Sequence, residues 1–418
     1  MRHVKPLIKI SRRQGVLFAL FLVIYEFLTY ISNDMILPGM YQVIDEFHAN
    51  PSNIASAVTC FMIGGACLQF IIGPLSDTYG RRKVMLSGVV LFLISTFSLA
   101  IAHNMHQFLM ERIFQGMGIC FIGTIGYATL QEIFNDTDAV KMTALMSSIS
   151  IVSPLLGPLA GSWIVLHASW REIFELIVVC TVVALWGLWR FMPEPIGQTT
   201  VEGKLIASQP LNFKKIMHNY AILLSHQNFM KTLFTYGLMG IPCMIWIALS
   251  PVMIITQENS HSLYEYSLWQ IPMFSAFIFA NTLLQKWVEK FNLQQLMKKG
   301  TYIVAIALIS SIFMVHHFGP TYYAFIPCFV VYFFGYATAS SPFYRQLFGL
   351  SSVPKGATAA LISLFTMLVQ SIGIETANHL FHQYHFEGIA WLLLAIGAGI
   401  IGLQFIKNQE EQISEEVA

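Results

Sequence analysis

Charge is what this sequence has least of. Acidic and basic side chains make up 11% of its 418 residues, against about 25% in a soluble globular protein. A shortfall spread over the whole chain, with 56% hydrophobic residues, excludes one ordinary water-soluble core and points to burial in a bilayer. The formal net charge is +1, so neither nucleic acid nor an acidic partner is indicated. Cysteine is also scarce. Cys60, Cys67, Cys120, Cys180, Cys243 and Cys328 all lie in apolar runs, with no metal-ligand spacing and no paired loop positions. They read as small hydrophobes packed between helices. The sequence has no phosphate-cradling glycine loop and no ligand cluster, so no metal, nucleotide or redox cofactor is implied. It also lacks a nucleophile–base set at one depth, which argues against a membrane enzyme.

Long apolar runs are abundant. A bilayer-spanning helix needs about 20 mostly apolar residues, and twelve stretches qualify. They lie near 15–38, 53–75, 85–103, 106–134, 140–166 and 170–192, then near 229–256, 264–288, 298–316, 321–344, 357–380 and 387–406. The first could pass for a signal peptide, but it is too long for an apolar h-region and no small-residue cleavage site follows it. It is expected to stay as the first span. Basic residues set the direction. Those before the first span (Arg2, Lys5, Lys9, Arg12, Arg13), those after the second (Arg81, Arg82, Lys83) and nearly all later ones fall on one side if both termini are cytoplasmic. Arg171 alone falls on the other side. The expected fold is therefore all-α and polytopic, with both termini cytoplasmic. Residues 193–225 are polar and carry three prolines before the second set of spans. They divide the chain into a six-helix bundle at 1–192, a cytoplasmic linker at 193–225 and a second six-helix bundle with a short tail at 226–418. Two like halves around a midplane site is a common transporter plan.

Ionisable groups inside a bilayer are expensive, and each is a functional candidate. Glu26 lies 11 residues past Gly15, about 16 Å deep in a ~30 Å core. No neighbour in its own helix neutralises it. Tyr30 and Asn33 share its face and Asp34 lies on the flank. This polar stripe should face an interior cavity, although a packing hydrogen bond to another helix would also satisfy Glu26. Arg112 enters the fourth span at a depth like that of Asp34. An arginine there needs a partner, either Asp34 or Gln115, and that contact reads as a switch made and broken in a transport cycle. Gly116, Gly123 and Tyr127 continue its face. Between the second and third spans, GPLSDTYGRRKV offers Gly73, Asp77, Gly80 and Arg81 as a charged turn able to latch onto a neighbouring helix. In the fifth span, Pro154 and Pro158 bend the helix, while Gly157 and Gly161 allow close packing. Glu132 near an inner end and Glu375 in the second half receive no role. Tyr236, Met239, Met244 and Trp246 offer an apolar cargo wall, or ordinary packing.

These residues resemble a known family. GPLSDTYGRRKV looks like the loop signature of the major facilitator superfamily, and RIFQG looks like the fourth-helix motif of its proton-coupled antiporters. SPLLGPLAG is similar to their fifth-helix motif, with Gly157, Pro158 and Gly161 matching and Ala144 and Ser153 at two positions usually held by glycine. YEFLTYISNDMILPGM together with ICFIGTIGYATLQE resembles the MdfA-type multidrug transporters of Gram-negative bacteria. The resemblance implies a proton-coupled exporter of cationic and neutral amphipathic drugs across the bacterial inner membrane, working by alternating access. In it, Glu26 and Asp34 would couple protons to substrate; Tyr30, Asn33 and Tyr127, on the polar faces read above, are expected to line the cavity. Arg112, with Gln115 and Gly116, would act in the conformational switch and Asp77 in the gating loop. The implied partners are small amphipathic molecules, protons and lipid, around a monomer. A dedicated exporter of one metabolite or siderophore would use the same fold.

Overall fold

The computed structural model describes residues 7–8, 10–50, 53–201, 203, 205–208, 211–255 and 263–405. Arg2, Lys5, Lys9, Lys204, Lys407 and both termini, which enter the expected orientation, lie outside the described residues. Among these residues the chain is helical, with isolated bridge residues such as the Thr199–Leu205 pair and no longer strand. Among the described residues, eight helices are long and apolar enough to cross a membrane, or nine if one bent pair is a single span.

Helix α1 (Arg12–Met35) begins at Ser11, whose side chain accepts from the Gln14 N–H at 3.1 Å, satisfying an orphan helix donor. Arg12 and Arg13 therefore lie in the first turn of the span rather than ahead of it. A short α2 (Met40–Glu46) follows. The second expected span is two helices, α3 (Asn53–Cys67) and α4 (Gln69–Tyr79), bent by 42°. Pro74 in α4 has no N–H for the Phe70 carbonyl, and the Tyr220 hydroxyl donates to that carbonyl instead at 2.8 Å. After α5 (Arg81–Ala100), the fourth span joins α6 (Met105–Phe121), a π turn (Ile122–Gly126) and α7 (Tyr127–Ile133). The fifth expected span, 140–166, is also broken. It comprises α8 (Asp136–Ser150) and α9 (Ser153–His167), with Pro154 opening the second piece, where a missing donor costs least. Helix α10 (Trp170–Phe191) completes the first set.

The linker region ends in a helix that the sequence reading passed over, α11 (Phe213–Ser225). Then come α12 (Gln227–Ile255), α13 (Leu263–Trp287), α14 (Leu293–Phe318) and α15 (Tyr322–Leu350). Helix α16 (Lys355–Phe405) contains both remaining expected stretches and turns at His385, whose φ of 50° lies in the left-handed region.

The chain divides into two units, 1–221 with 351–364, and 222–350 with 365–418. In the first, α1 packs against α6, α8, α9 and α10. Lipid is as apolar as leucine, so close packing and hydrogen bonds, not burial from water, hold such helices together. A Cβ on Gly161 would overlap the Met35 carbonyl, and one on Gly157 would meet Asp34. The small face of α9 is what lets it reach the end of α1. In the second unit α14 and α15 meet through Gly300 and Gly335. Trp246 donates through Nε1 to Gln270 at 2.8 Å, and Gln270 donates to Ser250 at 3.2 Å, tying α12 to α13.

Candidate functional site

The first unit carries three polar clusters along α1, α4 and α6–α7. One is built on Glu26, which is buried at 2% exposure. The Tyr127 hydroxyl donates to Glu26 Oε1 at 3.0 Å. Glu26 Oε2 meets no donor at ordinary hydrogen-bond geometry among the described residues, and the Ser150 hydroxyl, besides that of Tyr127, acts on the carboxylate. An unpaired buried acceptor is costly, so this oxygen is a receptive place for a donor: a proton, a water or the N–H of a bound cation. Tyr127 is the first residue after the π turn. The wider turn shifts the phase of everything that follows it, and the ring comes to face α1. Tyr30 is half-buried on α1.

About two turns further along α1, beside Asn33, Arg112 of α6 is fully buried. Its Nη1 donates to Gln115 Oε1 and its Nη2 to Asn33 Oδ1, each at 2.6 Å, and its Nε donates to the Ala57 carbonyl at 3.3 Å. The guanidinium carbon lies 4.6 Å above the Phe61 ring. Gln115 passes the network on to Thr96 at 3.1 Å. A Cβ on Gly116 would overlap the Phe61 carbonyl, so this glycine lets α6 approach α3 closely. Of the two partners expected for Arg112, Gln115 is in direct contact. Asp34 is linked to Arg112 through Asn33, whose Nδ2 donates to Asp34 Oδ1 at 3.2 Å. The other Asp34 oxygen accepts from the Ser153 hydroxyl at 2.6 Å, at the broken point of the fifth span. Asn33 thus sits between cation and anion, accepting from one and donating to the other.

The third cluster surrounds the Gly80 turn. Arg81 is fully buried and meets Asp77 at 2.6 Å. It also holds Glu132 by two bonds, from Nη2 at 2.7 Å and from Nε at 3.1 Å, and donates to the Ser76 hydroxyl. Asp77 in turn accepts from the backbone N–H groups of Gly356 and Ala357, each at 3.2 Å, at the start of α16. A carboxylate there suits the positive end of a helix. A Cβ on Gly73 would overlap the Gly356 carbonyl, so Gly73 is the residue that admits this approach. Beside it the Lys355 ammonium donates to the Gln131 carbonyl at 2.7 Å.

Two residues outside the expected set belong to this cluster. Glu132 received no role, yet it supplies half of the Arg81 cradle. Glu194, in the linker, accepts from the backbone N–H of Arg81 and of Arg82, each at 3.0 Å, and so caps α5 from 113 positions away. A Cβ on Gly80, whose φ is +100°, would run into that carboxylate. The need for glycine there is double: a left-handed backbone and room for Glu194. The only hint in the sequence was an acid among prolines directly after a span.

At the other end of the unit, Glu46 accepts from Trp170 Nε1 at 2.7 Å and from Arg171 Nη2 at 2.5 Å. Burial pushes the Glu46 carboxyl up, but these hydrogen bonds and the guanidinium charge outweigh it and hold the group below the ordinary carboxylate range. In the second unit, Glu375 is exposed on α16, and Tyr236 stands 6.1 Å, ring to ring, from Tyr344.

Buried, hydrogen-bonded charges on helices of membrane-spanning length define a class, a multi-pass helical transporter. The chain belongs to the Major Facilitator Superfamily, whose family model matches residues 22–376. It is 35% identical over 393 residues to the Multidrug transporter MdfA of Escherichia coli O6:H1, covering 92% of this chain and 94% of that one. It is 33% identical over 413 residues to the Multidrug transporter MdfA of Yersinia pestis, covering 98% of each. Among solved structures, the human organic anion transporter MFSD10 matches with a TM-score of 0.74 at 13% identity, covering 93% of this chain and 99% of that one. The proton:xylose symporter XylE matches at 0.72 and 15%, covering 95% and 97%. These two likenesses concern the fold alone.

Proposed function

We propose that the chain exports amphipathic drugs, cationic and neutral, across the bacterial inner membrane in exchange for protons. Near-full-length similarity to multidrug transporters supports the cargo class. One observation carries the coupling: a buried carboxylate, Glu26, with one oxygen held by Tyr127 and the other meeting no donor at ordinary hydrogen-bond geometry among the described residues. A proton and a cationic cargo compete for that oxygen, and only one is held at a time. Asp34 is the second acid in the exchange, and Asn33 relays its state to Arg112. When Asp34 takes a proton, Asn33 loses an anionic acceptor and the Arg112 network can rearrange.

In this reading the Gly80 turn lies on the cytoplasmic side, together with both termini, and the Glu46 end faces the periplasm. The Asp77–Arg81–Glu132 cluster is the gating latch, and the domain plan is two six-helix bundles, 1–192 and 226–418, in a monomer with 193–225 as the connection. The test is export from proteoliposomes carrying an imposed proton gradient. Efflux of several unrelated lipophilic cations, abolished when the gradient is collapsed, is expected. Gradient-independent efflux would reject the coupling. Movement of a single compound class only would favour a dedicated exporter of one metabolite or siderophore.

A further inference from the structure

The inference concerns α12 and rests on the alternating-access reading above. In a regular helix the Cys243 N–H donates to the Met239 carbonyl, four residues back. Here the Cys243 N–H donates to the Tyr332 hydroxyl at 3.0 Å, and that hydroxyl donates to the Met239 carbonyl at 2.6 Å. A side chain of α15 has been inserted into the hydrogen-bond ladder of α12. The insertion falls beside Pro242, which supplies no N–H to the carbonyl of Leu238. One rung of α12 is therefore missing, and Tyr332 bridges the two backbone groups of the next. Side-chain insertion and proline are both recognised causes of helix bending.

Tyr332 is itself held firmly. It is fully buried. Its ring stacks on Tyr336 at 5.7 Å and 7°, and meets Phe329 and Phe333 edge-on at 5.9 and 5.3 Å. Beyond the gap, α12 is fastened to α13 through Trp246, Gln270 and Ser250. Helix α12 runs unbroken from Gln227 to Ile255, yet at this point a hydroxyl from α15 serves two of its backbone groups.

We propose that Tyr332 is the pivot of a hinge at Pro242. Its hydroxyl lets α12 bend between Met239 and Cys243 without orphaning a buried N–H or carbonyl. Tyr332 acts as a positioning residue: it sets the angle between the turn carrying Tyr236 and Met239 and the turn carrying Met244 and Trp246, the four residues offered above as a cargo wall. A phenol suits this place because it both accepts and donates, while phenylalanine of the same shape does neither.

The test uses Tyr332→Phe and Pro242→Ala in the full-length protein in lipid nanodiscs and proteoliposomes, with rhodamine 6G as the probe. Both changes stiffen the joint, the first by leaving the Cys243 N–H and the Met239 carbonyl to bond only each other, the second by restoring the neighbouring rung. Each variant is expected to bind the probe within about threefold of wild type and to transport it at least tenfold more slowly. The double variant should be no slower than the slower single one, since both act on one joint. Amide exchange in a peptide covering 239–246 should slow in both variants. Wild-type transport by Tyr332→Phe, a proportional loss of binding and transport, or faster exchange in that peptide would overturn the pivot. If Tyr332→Phe does not fold, Pro242→Ala carries the kinetic and exchange tests alone. The exchange measurement needs no transported substrate, so a failed hinge and a failed antiport reading give different results.

Discussion

Replacing Asp77 with asparagine keeps the shape of the latch and removes its charge. Asp77 has three donors around it: Arg81 Nη2 at 2.6 Å and the N–H groups of Gly356 and Ala357 at 3.2 Å. Asparagine offers one acceptor oxygen and one donor group. Whichever way its amide sits, either the guanidinium or a backbone N–H of α16 then faces another donor. An anion at a partly buried helix N-terminus is stabilised by up to about 2 kcal/mol, and a hydrogen bond to a charged group by about 1.5–3 kcal/mol. Glu132 continues to hold Arg81 by two bonds, so part of that sum survives. A loss of roughly 2–3 kcal/mol remains, which shifts the latch equilibrium roughly 30- to 150-fold at about 1.4 kcal/mol per factor of ten. Substrate touches none of these groups in the proposed mechanism. The expected result in proteoliposomes is a turnover at least tenfold below wild type, with equilibrium binding of a fluorescent cation unchanged within threefold. Wild-type turnover would show that the contact does not gate the cycle. Complete loss of binding in folded protein would refute the separation of latch from cargo site.

Glu194→Ala removes the distant cap on α5 and should lower thermal stability by about 1 kcal/mol, the usual worth of an N-cap. Glu194→Gln, which keeps one acceptor, should fall between it and wild type in the same unfolding measurement, and equal melting of all three would discount the cap. Gly161→Val should fail to reach the membrane in folded form, because even a Cβ there overlaps the Met35 carbonyl; normal monodisperse yield by size-exclusion chromatography would contradict the close α1–α9 approach. Glu46 is held below the ordinary carboxylate range, so its contribution to stability is present above that range and is lost as pH falls through its folded value. Its side chain is 44% exposed, which limits the effect to under about 1 kcal/mol. Wild type should therefore lose slightly more thermal stability than Glu46→Gln between pH 7 and pH 3, and identical losses would remove Glu46 from the clasp.

The residues whose cost is visible from composition were legible in the sequence. Glu26, Asp34 and Arg112 stand out because a bilayer tolerates such groups only with partners, and Gly157 and Gly161 stand out because only small residues permit helix contact. Their pairing was less legible. Asn33 lies between Arg112 and Asp34, and that depends on side-chain directions at a helix end which spacing alone does not determine. Glu132 sits near the end of a span, where water lowers the cost of charge, so its burial against Arg81 gave no signal. Glu194 reaches the Gly80 turn only through the return of the linker. Helix α11 was hidden because 13 residues are too few for a span, and the π turn before Tyr127 was hidden because no residue type requires one. The break in the fifth span occurs beside Pro154, whereas that in the second, at Leu68, precedes Pro74, which lies inside α4. The sequence carries those prolines, but whether proline bends a helix or starts a new one depends on which neighbour satisfies the freed carbonyl.

The central claim is that cargo and proton contend for Glu26. Its most direct measurement is proton release from the purified protein in unbuffered detergent solution when tetraphenylphosphonium is added, read with a pH-sensitive dye, for wild type and Glu26→Gln. The account predicts a saturable release by wild type that is lost in the variant. Release of the same size from both proteins would contradict it.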